Sequence, residues 1–122
     1  MSYDINGAAI AAASSTCRYR VGAMVVGKSV WWGYNKRKTH PWLKKYKYKE
    51  WSCVHAELDA LLKAHRNADV EGSSLYVARL MRDNKWGMAK PCEGCMGVIV
   101  ELGIKEVFYS TGRGSEVKRM AL

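Results

Sequence analysis

The 122-residue chain is predicted to fold as one α/β domain, residues 1–122, with a mixed central sheet in a three-layer α/β/α arrangement. Three observations predict this. Helical and β-rich runs alternate in the order α-β-β-loop-α-β-α-β-tail, the pattern of a layered α/β domain. The first two β runs are separated by only Gly27-Lys28, which reads as an antiparallel hairpin. The last two flank a helix, so they should lie parallel through a right-handed crossover.

Taken in order, Asp4–Ala13 is Ala-rich and reads as a short helix despite Gly7. Val21–Gly27 and Ser29–Asn35 are the hairpin strands. Lys36–Trp51 has neither clean alternation nor a helical stripe, and is read as a long loop with Pro41 at its centre. A structureless stretch of that length in a compact domain is usually functional. Ser52–Ala68 is the best helix: Leu58, Leu61, Leu62 and His65 repeat at helical spacing, Ala56, Ala60 and Ala64 line an adjacent face, and Ser52 is a candidate N-cap. Ser73–Arg82 reads as a strand and Asp83–Gly87 as a turn, a candidate hairpin tip. Pro91–Leu102 reads as a helix, with Pro at its start and Gly103 just past its end. Lys105–Thr111 is a strand, and Gly112–Leu122 is a short tail with helical character.

Composition excludes several classes. Hydrophobic residues make up 48% of the chain, too many for a disordered segment. No apolar run approaches the roughly 18 residues that span a bilayer. The N-terminal residues show no basic stretch followed by an apolar one, so a soluble, cytoplasmic protein without membrane partners is expected. In that setting Cys17, Cys53, Cys92 and Cys95 are read as thiols rather than disulfides.

The charge is local. Of 20 Lys and Arg residues, seven fall between Lys36 and Lys49 with no acid among them; outside that segment 13 bases face 11 acids. Such a patch suits a phosphate-bearing partner, or is simply a solvated loop.

Cys92 and Cys95, at i and i+3 on the first turn of the Pro91 helix, point the same way, and the helix N-terminus favours their thiolates. With His55 they make a mixed sulfur and imidazole set that zinc accepts, with a fourth position left open as in a catalytic site. Glu57 lies two residues after His55. On a helix the pair is about 200° apart, so Glu57 should not share the ion. Two thiolates cancel the formal charge of zinc, which weakens its effect on water, so a nearby carboxylate that moves protons is chemically needed. Against this stands a closed Cys₃His site in which Cys53 is the fourth ligand. The preferred reading makes Cys53 a small buried residue and Cys17 a core thiol.

His55-Ala56-Glu57 followed by Pro91-Cys92-Glu93-Gly94-Cys95 resembles the zinc-dependent cytidine and deoxycytidylate deaminase superfamily, in particular its dCMP deaminase-like branch. Val21-Gly22-Ala23, Gly33-Tyr34-Asn35 and Leu75-Tyr76-Val77 extend the resemblance over most of the chain. It implies a cytidine-deaminase-like fold, one Zn²⁺ per chain on His55, Cys92 and Cys95, and Glu57 as the proton shuttle for attack at C4 of cytosine. It further implies that Asn35 contacts the sugar, that the Ala56 N–H donates to pyrimidine O2, and that the enzyme is a homo-oligomer.

The chain departs from the family pattern in places. Met81–Met88 looks like an insertion before the zinc helix, Ala89-Lys90 stand where many relatives have Ser or Thr, and the expected fifth strand and helix after the Lys105 strand are missing. The pocket would then borrow residues from another subunit. For the substrate, the favoured reading is a small pyrimidine nucleotide, dCMP, with Lys36 or Lys38 on its phosphate. One alternative is a single-stranded nucleic acid, adenine-bearing RNA included, held by the lysines and stacked on Trp42, Tyr46, Tyr48 or Trp51. Another is a non-catalytic, zinc-stabilised nucleic-acid-binding module.

Overall fold

A computed structural model of the chain describes residues 5–122. In chain order the elements are α1 Asn6–Ala12, β1 Arg20–Val26, β2 Val30–Tyr34, α2 Pro41–Lys45, α3 Ala56–Asn67, β3 Ser74–Leu80, β4 Trp86–Gly87, α4 Glu93–Glu101, β5 Glu106–Ser110 and β6 Val117–Ala121. Asp4, assigned above to the first helix, lies outside the described residues.

The sheet runs β2-β1-β3-β5-β6, with the short β4 paired to the C-terminal end of β3. β1 is antiparallel to both β2 and β3, and β3 and β5 are parallel around α4, as their flanking positions predict. α1 covers one face with Met24 and Ala78; α3 and α4 cover the other with Val25, Leu75, Val77 and Val107. The helices come close because two strand positions lack a side chain. A Cβ on Gly22 would stand 1.9 Å from the Ala8 carbonyl oxygen of α1, and one on Gly33 would stand 2.4 Å from the Ala60 nitrogen of α3. The three layers and the mixed sheet are therefore present as expected.

Three local readings are corrected. Segment 36–51 is not without structure: Pro41 opens the one-turn α2, the His40 Nδ1 accepts a hydrogen bond from the Trp42 N–H at 3.1 Å, and Leu43 is fully buried. Leu43 and Tyr48 are buried and Trp42 and Tyr46 pack against the core, which folds the segment inward, and the φ of proline is preset for a helix start. Ser52 does not cap α3. Val54 pairs with Lys36 across an isolated antiparallel bridge, which keeps the backbone extended until His55, and His55 is the N-cap.

The tail is a strand rather than a helix. β6 pairs antiparallel with β5 along its whole length and supplies the strand thought to be missing. It is an edge strand held by backbone pairing and by an Arg119–Glu106 ion pair at 2.8 Å, so its sequence shows no clean apolar alternation. The last pair of the sheet is accordingly antiparallel, whereas β3 and β5 remain parallel. No helix among the described residues is long and apolar enough to cross a membrane.

Candidate metal centre and active site

Two helix N-termini converge on the α3–α4 side of the sheet. His55 and Cys92 are the N-caps of α3 and α4, both with extended backbone, and Cys95 lies in the first turn of α4. The His55 Nδ1 is 3.5 Å from the Cys92 Sγ and 3.6 Å from the Cys95 Sγ, and the three ligand atoms lie within 4.8 Å of one another. A tetrahedral zinc with bonds of about 2.3 Å to sulfur and about 2.0 Å to nitrogen separates those atoms by about 3.5 Å. The three residues therefore fit one Zn²⁺, and three protein ligands leave a fourth tetrahedral position. Cys53 is not in the group, which removes the closed four-ligand site.

The electrostatics of the corner follow from burial and hydrogen bonding. Cys95 donates to Cys92 and, with help from His55, holds the Cys92 thiol down to about 4. Burial pushes Cys95 well up. The hydrogen bond to Cys92 raises His55, and burial raises Glu57 above the ordinary carboxylate range. One negative charge thus rests on Cys92, at the positive end of α4.

Glu57 is buried and lines a cavity of about 340 Å³ together with His55, Ala56, Cys92, Asn35 and Arg79. The 200° separation of i and i+2 residues does not apply here, because His55 precedes the helix in extended conformation. Glu57 nevertheless stays outside the ligand group and faces the same space, the arrangement expected of a proton carrier. The Ala56 N–H is the first of α3 and has no carbonyl within the helix to bind.

Tyr48, named above only as one ring of the alternative stacking surface, meets the metal ligands instead. Its hydroxyl donates to the Cys95 Sγ at 2.9 Å, and its ring meets His55 edge-on with centroids 4.9 Å apart. The ring also lies against α4, where a Cβ on Gly94 would approach it to 2.8 Å. Nothing at residue 48 signals this, because the partner is 47 residues away.

The other predicted contacts divide. The Asn35 Oδ1 accepts from the Val21 N–H at 3.0 Å and its Nδ2 donates to the Tyr19 carbonyl, so the amide ties β1 to β2 and keeps one N–H and one lone pair for a ligand. Lys36 lines neither this cavity nor its neighbour: its ammonium pairs with Asp59 at 3.2 Å and lies over the Tyr34 ring. Lys38 does line the neighbouring cavity, with Arg18, Arg37 and Asn35. Cys17 and Cys53 are half-exposed and line it too, so neither is a core thiol. The stacking platform of the alternative reading of residues 36–51 is not built. Tyr48 is buried, Trp42 and Tyr46 pack against the core, and only Trp51 of the four rings is exposed.

Comparison with known proteins agrees with the geometry. A mouse (Mus musculus) deoxycytidylate deaminase is 36% identical over 69 residues, covering 57% of this chain and 30% of its own; the chain thus spans under a third of the length of the curated relatives it matches. The crystal structure of a cytidine deaminase from Burkholderia pseudomallei superposes with a TM-score of 0.70 at 25% identity, covering 96% of this chain and 88% of that one. That of a dCMP deaminase from cyanophage S-TIM5 gives 0.64 at 24% identity, covering 89% and 80%, a likeness of fold. With two helix ends presenting His55, Cys92 and Cys95 to one ion, and a family profile matching residues 5–111, the chain belongs to the family described as the cytidine and deoxycytidylate deaminase zinc-binding region.

Proposed function

We propose that the chain is a zinc-dependent hydrolytic deaminase that converts a cytosine mononucleotide, dCMP, to dUMP with release of ammonia. The observation that carries the reading is the buried carboxyl of Glu57 beside a three-ligand metal group in one small cavity. Burying an ionisable group is costly, and a purely structural metal site has no use for one. A buried carboxyl facing the same space as three metal-ligating side chains is a functional arrangement.

When bound, zinc supplies Lewis-acid activation of water. Glu57 does the proton work: it takes a proton from water, delivers one to ring N3, and supplies the proton with which the amine leaves. The water oxygen adds to C4 as N3 is protonated, the bond from C4 to the exocyclic nitrogen then breaks, and no redox change occurs. The Ala56 N–H donates to pyrimidine O2, and Asn35 offers its remaining amide capacity to the sugar. The 5′-phosphate goes to Lys38, with Arg37 and Arg18 in the adjoining cavity, rather than to Lys36, which lines neither cavity and is held with Lys63 on Asp59.

The test is a panel of cytidine, CMP and dCMP incubated with the zinc-loaded protein, with ammonia and the uracil product measured. The expected result is turnover with the highest kcat/KM for dCMP. No ammonia from any member overturns the reading. Cys53→Ser should keep one zinc per chain, because Cys53 is outside the ligand group.

A further inference from the structure

Cys17 and Cys53 have no part in the deamination described above, and neither is packed away in the core. Both are half-exposed and line the cavity of about 650 Å³ next to the catalytic one. Cys53 and Asn35 line both cavities, which places them at the junction between the two. A nucleotide with its base beside Glu57 and its 5′-phosphate at Lys38 has to cross that junction.

The end of β2 brings the two cysteines together. The Asn35 carbonyl accepts from the Ser15 hydroxyl at 2.9 Å and from the Cys17 thiol at 3.6 Å, and the Ser15 Oγ in turn accepts from the Cys17 N–H at 3.2 Å. On the other side of that peptide the Lys36 N–H donates to the Val54 carbonyl at 3.0 Å, and the Cys53 thiol donates to the same carbonyl at 3.8 Å. The two thiols thus flank the peptide between residues 35 and 36, and Cys17 is itself a hydrogen-bonding partner of Cys53.

Cys53 lies outside the group formed by His55, Cys92 and Cys95, so a zinc bound there does not hold it. The bonds that the two thiols give to carbonyls are those of weak sulfur donors, and losing them leaves no buried charge. Oxidation selects thiols that solvent reaches and that have a second thiol beside them to resolve the first product. Where the surroundings are reducing, a pair of this kind senses oxidant rather than staples the fold.

We propose that Cys17 and Cys53 are a peroxide-sensitive pair that closes to a reversible disulfide at the junction of the two cavities, and that the bridge obstructs the path of the substrate phosphate. The second half of this rests on the deaminase reading. In the first step one sulfur takes an oxygen from hydrogen peroxide, the O–O bond breaks, water leaves and a sulfenic acid remains. The other sulfur then displaces that oxygen as a second water while the S–S bond forms. The peroxide gains the two electrons that the sulfurs lose, and a dithiol reductant returns them. Closure removes the Cys17 bond to the Asn35 carbonyl and ties the loop before β1 to the segment that leads into His55.

The experiment treats the zinc-loaded protein with hydrogen peroxide at a low molar excess, maps the alkylated digest by mass spectrometry and counts zinc by atomic absorption. A Cys17–Cys53 cross-link should form with zinc still at one per chain, and dithiothreitol should remove it. On oxidation the KM for dCMP should rise by about tenfold, the scale of one charge-assisted hydrogen bond. The KM for cytidine, which has no phosphate to place, should stay within about twofold. In Cys17→Ser and in Cys53→Ser the ratio of oxidised to reduced KM should be one.

No cross-link between these two cysteines, or zinc lost before it forms, overturns the proposal. So does a cross-link that slows dCMP and cytidine alike or neither of them. Absence of turnover by the reduced enzyme on every substrate overturns the deaminase reading instead, and the mapped cross-link then decides the pair by itself.

Discussion

The metal corner and segment 36–51 adjoin each other in the chain, and both are crowded with residues that carry chemistry. In the corner, His55, Cys92 and Cys95 occupy positions defined by helix ends, and the packing of the α3 and α4 N-termini against one another brings their ligand atoms within 4.8 Å. In segment 36–51 the same density of chemistry dissolves on folding. Lys36 shares Asp59 with Lys63, Lys44 lies over Trp51, Lys45 over Trp42 and Tyr46, and Tyr48 leaves the surface to serve Cys95. Metal chemistry needs a few atoms at fixed spacing, which a helix end supplies locally. A charged aromatic stretch acquires its role from whatever the fold places against it.

That contrast can be broken by mutation. The largest effect should come from Glu57→Gln, which cannot move protons. Turnover should fall by at least about 10²–10⁴ with one zinc per chain retained by atomic absorption and an unchanged circular dichroism spectrum. Activity near that of the wild type would show that Glu57 is not the proton carrier.

Next is Cys95→Ala. It removes a buried ligand, so the protein should lose both zinc and activity and melt at a lower temperature, by about 4 °C for each kcal/mol of lost binding energy. A variant that keeps stoichiometric zinc would show that the ligand set is wrong.

Tyr48→Phe tests the one residue that belongs to both regions. It keeps the ring against Gly94 and His55 but deletes the hydrogen bond to Cys95. Zinc affinity should fall by about 10–100-fold in a chelator competition, the usual range for a group that supports a ligand. An unchanged affinity would make Tyr48 a packing residue only.

The smallest effect should come from neutralising Lys44, Lys45, Lys47 and Lys49 together, all of them exposed. If the phosphate sits with Lys38, Arg37 and Arg18, the change in KM for dCMP should stay below about fivefold, because exposed charges remote from the ligand are screened. A steep loss of activity that follows salt would return segment 36–51 to the substrate path.

How much of this was legible depends on the range of the forces involved. The leucine and alanine periodicity of α3, the hairpin of β1 and β2 and the parallel pair around α4 are local or nearly local patterns, and all three are present. The ligand set was legible for the same reason: two cysteines one turn apart and a histidine before a helix are spacing statements. β6 was not, because an edge strand is specified by its partner β5 rather than by its own side chains. Nor was α2, whose one buried leucine finds its place only against the core.

By itself, then, the sequence determined the layer order, the metal ligands and the carboxylate beside them, since each rests on periodicity or on spacing within a turn or two. Only the tertiary structure decided which cations are free. Lys36 and Lys38 are two residues apart and chemically equivalent in the sequence, yet one is held against Asp59, which Lys63 shares, and the other opens onto a cavity next to the active site. It likewise decided that Arg79, an unremarked strand residue, lines the catalytic cavity with its Nε buried and without a hydrogen-bond partner. The physical reason is that a charge is spent or available according to partners tens of residues away, and a linear sequence does not contain those distances.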